Sequence, residues 1–301
     1  MKSDLSITSC AVLIGLLGLF ARPSRAQITT NTALPVARAQ GIVRMQVQIM
    51  RATDDPTEMN RAMTTLAAPV VGVYGVRPYL AVFGVLPTLD KSLAVDSDDG
   101  RVVRSTRGIG DVRLFARYTA FRRNARGRTM RLAPLAGVEL PTGRDDVRDV
   151  RGRLPAPLQL GSGTWDPFLG LVFTWQTLAW QLDVSSSFQR NGSAGPVDFG
   201  DESRLDAAFK VRVWPRTLSR GVPGFFYANL ESSLIGIGRN VSDGSKMDDT
   251  GGITWYGAPG LQYVTRRIVL EGALQVPVAR ELNGNGMGPR YIGIVSVRVN
   301  I

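Results

Sequence analysis

The chain has 301 residues, enough for one large β-domain, and a single cysteine, Cys10, inside its first apolar run. It contains no histidine, which removes the usual general base of a Ser-His or Asp-His hydrolase and the commonest transition-metal ligand. The formal charge of +11 would suit a nucleic-acid binder, but the basic residues read as spread over strands and loops, and the N-terminus points to export.

Lys2 gives a positive start, and residues 10–20 (CAVLIGLLGLF) form a short apolar run. Ser24-Arg25-Ala26 puts small residues at the −3 and −1 positions of a cleavage site. This predicts a secretory signal peptide over 1–26, too short to span a membrane as a helix. Cys10 precedes the end of the apolar run, so a lipoprotein reading fails. Its removal leaves no thiol, which excludes a disulfide framework and suits an envelope protein. Residues 27–40 are polar, contain Pro35 and show no clean period. They are expected to be a flexible leader, with folding into a lumen as the alternative.

Twelve strands are predicted over 41–301. The first, 41–51, sets Val43, Met45, Val47 and Ile49 against Arg44, Gln46 and Gln48. Asp55-Pro56-Thr57-Glu58 looks like a cap, a proline and an acid, predicting one helical turn in the insert that follows. Strands 63–76 and 79–89 join tightly at Arg77-Pro78 and are apolar on both faces. Residues 90–108 read as a long polar loop. The central hairpin, 109–143, alternates over a length that exceeds a soluble strand: Val112, Leu114, Ala116 and Tyr118 oppose Asp111, Arg113 and Arg117, and Val138 and Leu140 oppose Arg131 and Glu139. After a loop at 142–157 come strands 165–175, 178–190, 200–214, 225–235, 252–264, 268–278 and 290–301. An apolar face of this length beside a face carrying mid-strand charges is the pattern of lipid outside and water inside.

The connections alternate long, short, long, short, as when short turns lie on the periplasmic side and long loops outside; both termini are then periplasmic. Trp175, Trp180, Trp214, Phe225, Phe226 and Tyr263 flank the short turns, and Trp165 and Trp255 sit near the opposite ends, as interfacial girdles require. Pro134, Pro167, Pro259 and Pro277 fall within strands and count against them. The reading is an all-β transmembrane antiparallel β-barrel of about 12 strands in the outer membrane of a Gram-negative bacterium. A soluble β-sandwich is the runner-up, and it leaves the loop rhythm unexplained.

Four short motifs occur in order: Gly108-Ile109-Gly110-Asp111, Leu140-Pro141-Thr142-Gly143, Leu160-Gly161-Ser162-Gly163-Thr164-Trp165-Asp166, and Tyr256-Gly257-Ala258-Pro259-Gly260-Leu261-Gln262. Together they resemble the outer-membrane transporter family named for the meta-pathway of phenol degradation. The resemblance runs from about residue 66 to the C-terminus. It implies a barrel and uptake of aromatic or other hydrophobic compounds, and supplies no catalytic residues. Many barrels end in an aromatic residue read by the assembly machinery, whereas this chain ends in Ile301.

No enzyme, cofactor or metal site is expected. Asp96, Asp98 and Asp99 before Gly100 could hold calcium, but lack the full loop pattern and read better as solvated. The functional candidates are the residues whose parity turns them to the lumen: Arg44, Asp111, Arg113, Arg117, Arg131, Glu139, Asp183, Arg204, Asp206, Lys210, Arg212, Glu231, Glu271 and Arg298. Eight are positive and six negative, so an open pore with this lining would weakly favour anions. Alternatively they pair and fill the interior, since twelve strands lie between filled and open barrels. Phe115 and Tyr256 add aromatic lumen surface. The expected function is passive passage of small, aromatic or hydrophobic solutes through a narrow or gated charged lumen. The alternative is a non-transporting envelope barrel working structurally or through its loops, with the Arg/Asp-rich stretch 144–153 reaching lipopolysaccharide phosphates. Expected partners are outer-membrane lipid, lipopolysaccharide, the barrel-assembly machinery and a small solute, with no nucleic acid.

Overall fold

The computed structural model describes residues 32–98, 100–194, 197–216 and 224–301. The signal peptide expected over 1–26 and the leader up to residue 31 lie outside the described residues. Twelve wall strands follow in order: β1 (Gly41–Ala52), β2 (Ala62–Arg77), β3 (Leu80–Ser97), β4 in three segments (Gly100–Ile109, Val112–Tyr118, Phe121–Ala125), β5 (Arg128–Leu140), β6 (Asp166–Thr177), β7 (Trp180–Gln189), β8 (Glu202–Trp214), β9 (Phe225–Ile237), β10 (Gly252–Val264), β11 (Ile268–Leu282) and β12 (Tyr291–Asn300). Each pairs antiparallel with its chain neighbours, and β12 returns to β1 with Gln46 opposite Ser296. The sheet is therefore a closed meander with no free edge through the wall.

The faces are inverted relative to a soluble protein. On β1, Met45, Val47 and Ile49 are 56%, 48% and 46% exposed, while Gln46 and Gln48 between them are 7% and 3% exposed. The same inversion puts Leu66, Val70, Leu171, Phe209, Leu230, Leu261 and Val295 outside. Only a lipid solvent makes that arrangement favourable. At the short-turn end, edge-on or tilted ring contacts link Tyr79 to Tyr118, Trp175 to Trp180, and Trp214 through Phe226 to Tyr263. This is the girdle at which amphipathic rings meet the headgroups.

Two sequence expectations change. Residues 90–108 are not a loop: β3 and the first segment of β4 continue as a hairpin, with Asp90 opposite Arg107 and Asp96 opposite Arg101. Both faces of a strand can be polar once it leaves the bilayer, so the apolar alternation that marks the wall stops while the ladder does not. The insert after β1 holds no helix. Asp55 accepts the N–H groups of Thr57 and Arg61, and Asn60 takes a positive φ of 44°, which closes a turn instead. Of the expected leader's described residues 32–40, Ala33 and Val36 are buried against the wall while Pro35 and residues 37–40 are exposed. Pro277 is accommodated at a register shift between β10 and β11.

Three of the four motifs that carried the family resemblance meet in one knot, while the fourth, Tyr256–Gln262, lies in β10. The ladder of β4 breaks at Gly110 and Asp111. There Gly110 N–H bonds to Pro87 O at 2.9 Å, and Val112 N–H bonds to Thr142 Oγ1 at 2.9 Å. The Asp111 carboxylate accepts Gly143 N–H at 2.9 Å and Ser162 N–H at 2.7 Å. Gly143 and Gly161 pass so closely that a Cβ on Gly161 would lie 2.4 Å from Gly143 O. Asp166 continues the knot, accepting Thr164 Oγ1 at 2.6 Å and Gly192 N–H at 2.8 Å. These bonds fold the chain between Gly143 and Gly161 inward. Replacing Asp111 by Ala leaves two buried N–H groups without their charged acceptor, at a cost of about 3 kcal/mol. The expected outcome is protease cleavage within residues 144–160 under conditions where the wild-type loop resists and both barrels keep heat-modifiable migration.

Candidate functional site

The inner wall has two unlike halves. Along β3 to β6 it is apolar: Phe83 and Phe115 stack with centroids 4.4 Å apart, Phe168 meets Phe115 edge-on at 5.8 Å, and Ala133, Leu135 and Val172 complete the cluster. Two guanidinium groups lie on these rings, Arg117 over Phe83 at 4.8 Å and Arg113 over Phe168 at 4.3 Å. Over the remaining strands the wall is polar. Arg44 pairs with Glu271 at 2.8 Å, Ser296 donates to Glu271 at 2.6 Å, and Gln262 donates to its other oxygen. Arg204 pairs with Asp206 at 2.8 Å, Lys210 reaches Gln262 at 3.2 Å, and Asp183 accepts from Thr174 and Gln181.

Of the fourteen residues expected in the lumen, thirteen lie on the wall strands and Asp111 lies in the break of β4. Arg117, Glu139, Asp183, Arg204, Asp206, Glu231 and Glu271 are buried. Asp111 is buried too, but is spent in the loop knot. Arg113 bridges Glu139 at 3.0 Å and Gln189 at 2.8 Å. Arg131 reaches back to Asn124 at the short-turn rim, Arg212 lies 5.7 Å from the Phe225 ring, and Arg298 is half-buried near Glu271 and Arg44. Tyr256 is buried on the inner face at 2% exposure.

The described leader crosses that lumen. It starts beside β1 and β2, where Ala39 N–H bonds to Gly75 O at 2.9 Å. It ends against the opposite wall, where Ala33 N–H bonds to Thr174 Oγ1 at 2.8 Å and Gln181 reaches Thr32 Oγ1 at 3.4 Å. Ala33 is fully buried in the Phe83/Phe115/Phe168 cluster, and Arg117 donates to Leu34 O at 2.8 Å. Gly75 is required for this route, because a Cβ there would stand 2.1 Å from Ala37 O. The sequence carries weak signals for this: Ala33, Leu34 and Val36 are apolar, and Gly75 follows Gly72 in β2.

At the long-loop end the loops pack on one another and on the strand ends. Leu154 and Leu158, the latter on a short 3-10 turn (Ala156–Leu158), pack with Ala52, Met63, Leu93 and Met287. Lys91 holds the loop by donating to Gln159 O at 2.5 Å. Arg61 pairs with Asp55 at 2.5 Å and donates to Asn285 O at 2.7 Å, tying the β1–β2 and β11–β12 loops together. Two loop arginines meet carboxylates, Arg104 forking onto Asp149 and Arg144 facing Asp146 at 3.6 Å, while Arg153 donates to the backbone Asp145 O. Asp96 is bound by Arg101 and Asn60, and Asp99 lies outside the described residues. Among the described residues no cluster of metal-ligating side chains forms.

The family described as "Putative MetA-pathway of phenol degradation" matches residues 57–286. The chain belongs to this family. An outer membrane channel from Pseudomonas putida F1 superposes with a TM-score of 0.69 at 15% identity, covering 90% of this chain and 99% of that one. The translocator domain of the autotransporter NalP from Neisseria meningitidis gives 0.43 at 11% identity, over 88% and 90%. The CymD monoaromatic hydrocarbon channel gives 0.38 at 10% identity, over 88% and 89%. No curated protein matches the sequence. This family member therefore has the outer-membrane barrel fold.

Burial of Asp55 would raise its pKa, but hydrogen bonds from Arg61 and Thr57 outweigh that and bring it down to about 2 from 3.8. A depressed carboxylate contributes stability above its unfolded pKa and loses it as pH falls through the folded one. Amide exchange in residues 55–61 is therefore expected to stay protected, after correction for intrinsic rates, from pH 7 to about 4 and to lose protection toward pH 2. In Arg61→Ala that loss should begin near pH 4 or above.

Proposed function

We propose that the protein is a passive outer-membrane channel for small hydrophobic solutes, aromatic ones included, with a narrow charged lumen gated by its own leader. The carrying observation is Ala33 buried on the Phe83/Phe115/Phe168 surface: the leader occupies an apolar track that a flat hydrophobic solute would also cover, opposite a polar wall that keeps water. The family's tie to phenol degradation and the channel fold of the Pseudomonas putida neighbour support the same reading. In it the short turns and both termini face the periplasm, and the long loops face outward. Residues 1–26 direct export, the barrel-assembly machinery inserts the barrel, and exposed loop arginines such as Arg148 and Arg151 meet lipopolysaccharide. Residues 27–40 then act as a gate rather than a free tether. The packed mouth favours a second reading, a non-transporting barrel that acts through its loops.

Conductance in a planar bilayer separates the two. Wild type is expected to conduct rarely and in small steps. Ala33→Asp places an unpaired carboxylate at a fully buried position, a penalty of several kcal/mol against the ~1.4 kcal/mol that a tenfold shift in population requires. Open probability should rise about tenfold or more, with a reversal potential on the anion side in a salt gradient. Folded, inserted Ala33→Asp that stays silent, and that admits no aromatic solute in liposome swelling, would establish the non-transporting reading.

A further inference from the structure

On the lipid-facing wall, β2 and β3 set two glycines side by side. Gly72 is the register partner of Gly84, and both lie between outward residues, Val70 and Tyr74 on one strand, Val82 and Leu86 on the other. A Cβ on Gly72 would meet nothing within 4 Å, and one on Gly84 only the Leu114 side chain at 3.6 Å. With Val43, Tyr74, Val82, Leu114 and Ala136 around them they form an open apolar groove of about 620 Å³. Along β2 the groove leads past Tyr74 to Arg77, whose Nη1 stands 3.4 Å from the Tyr79 hydroxyl. From Gly72 to Arg77 is roughly 16 Å of strand at about 3.3 Å per residue, half of a hydrocarbon core of about 30 Å, so groove and arginine span one leaflet.

The charge at that end is the second observation. The short connections carry Arg77, Arg123, Arg126, Arg128, Arg266 and Arg267, while residues 74–80, 119–130 and 263–270 contain no Asp or Glu. These arginines are exposed and have no carboxylate partner among the described residues. At the other end Arg101, Arg104 and Arg239 are matched to Asp96, Asp149 and Asp248. The excess of basic over acidic residues is thus gathered at the short-turn rim, just beyond the aromatic girdle.

We propose that this groove and rim form a docking site for an anionic glycerophospholipid of the leaflet at the short-turn end. An acyl chain lies over Gly72 and Gly84, and the headgroup phosphodiester is held at Arg77, with the rim arginines supplying the surrounding positive field. A zwitterionic lipid fills the groove equally but leaves that field uncompensated. Attraction between a surface arginine and an anionic leaflet corresponds to about fivefold in affinity per residue. The groove lies on the outer side of the same wall whose inner side carries Phe83 and Phe115, and its test does not involve conduction.

The barrel with its leader, purified in neutral detergent, is given equal phosphatidylglycerol and phosphatidylethanolamine, and retained lipid is counted by native mass spectrometry. Wild type is expected to retain one phosphatidylglycerol, about fivefold or more over phosphatidylethanolamine. Gly72→Phe, which grows into open space, should abolish retention of both lipids. Arg77→Glu with Arg123→Glu and Arg128→Glu should remove the headgroup preference while leaving groove occupancy, whereas Arg148→Glu with Arg151→Glu at the other end should change nothing. Equal retention of the two lipids by wild type would overturn the proposal. So would a preference surviving the rim substitutions, or displacement of the lipid by soluble glycerol phosphate. A wild type that retains no lipid also overturns it and gives the rim to an acidic protein partner instead.

Discussion

Within hydrocarbon an unpaired peptide N–H or C=O has no water to turn to, and each one left open costs several kcal/mol. That constraint governs the rest of this molecule. It forces twelve strands into a ring in which β12 must find β1, and so fixes how far each strand must run before the chain can turn. It also explains where irregularity is permitted. The ladder of β4 fails at Gly110 and Asp111, toward the long-loop end, and there side chains take over: Thr142 Oγ1 and the Asp111 carboxylate accept the N–H groups that no neighbouring strand can reach. Glycine is needed at the knot for close approach, since Gly143 and Gly161 bring two backbones within the space of a single Cβ.

A closed ring of this size leaves an interior that is neither solid nor wide. The polar wall resolves its charges by pairing, as in Arg44–Glu271 and Arg204–Asp206, because a charge left alone there would be costly. The apolar half has no such partner within the wall. Phe83, Phe115 and Phe168 would face water, and the leader covers them with Ala33 and Val36. Leader and wall are therefore mutually dependent. The apolar track gives the leader a reason to enter, and the backbone bonds to Thr174 and Gly75 fix its position. Nothing about this seat is as strong as the ladder itself.

The wall was legible in the sequence because few folds other than a membrane barrel sustain a period of two over the length of a bilayer. β7 shows this best, with Leu182, Val184 and Phe188 outward against Gln181, Asp183 and Gln189. Legibility ended where lipid ended. The β3–β4 hairpin above the membrane pairs Asp96 with Arg101, and its polar faces read as a loop. The leader was illegible on separate physical grounds: its few apolar residues cover a stripe built from four separate strands, and no local pattern reports such a stripe. Parity assigned Arg117 to the inner face, but not its bond to Leu34 O, which needs a segment without regular structure. The motifs were visible as glycines and an aspartate, and their chemistry became readable only once Asp111, Gly143 and Ser162 were brought together from three parts of the chain.

The net charge of +11 also changes meaning once it is placed in space. In the lumen, eight cations meet six anions, close to balance. In the long loops Arg61, Arg101, Arg104 and Arg280 each have an aspartate at hand. What is left over is carried by short turns that contain no acid. A turn at the end of a tightly closed strand pair has little room for a counter-charge of its own, and arginine tolerates this position because its aliphatic stem can lie along the aromatic girdle while its head stays in the polar layer. A chain whose excess charge resides at one rim is polarised along the barrel axis. The same loop rhythm that alternates short and long connections therefore sorts the charge as well, and the two ends of the barrel meet unlike surroundings with unlike surfaces.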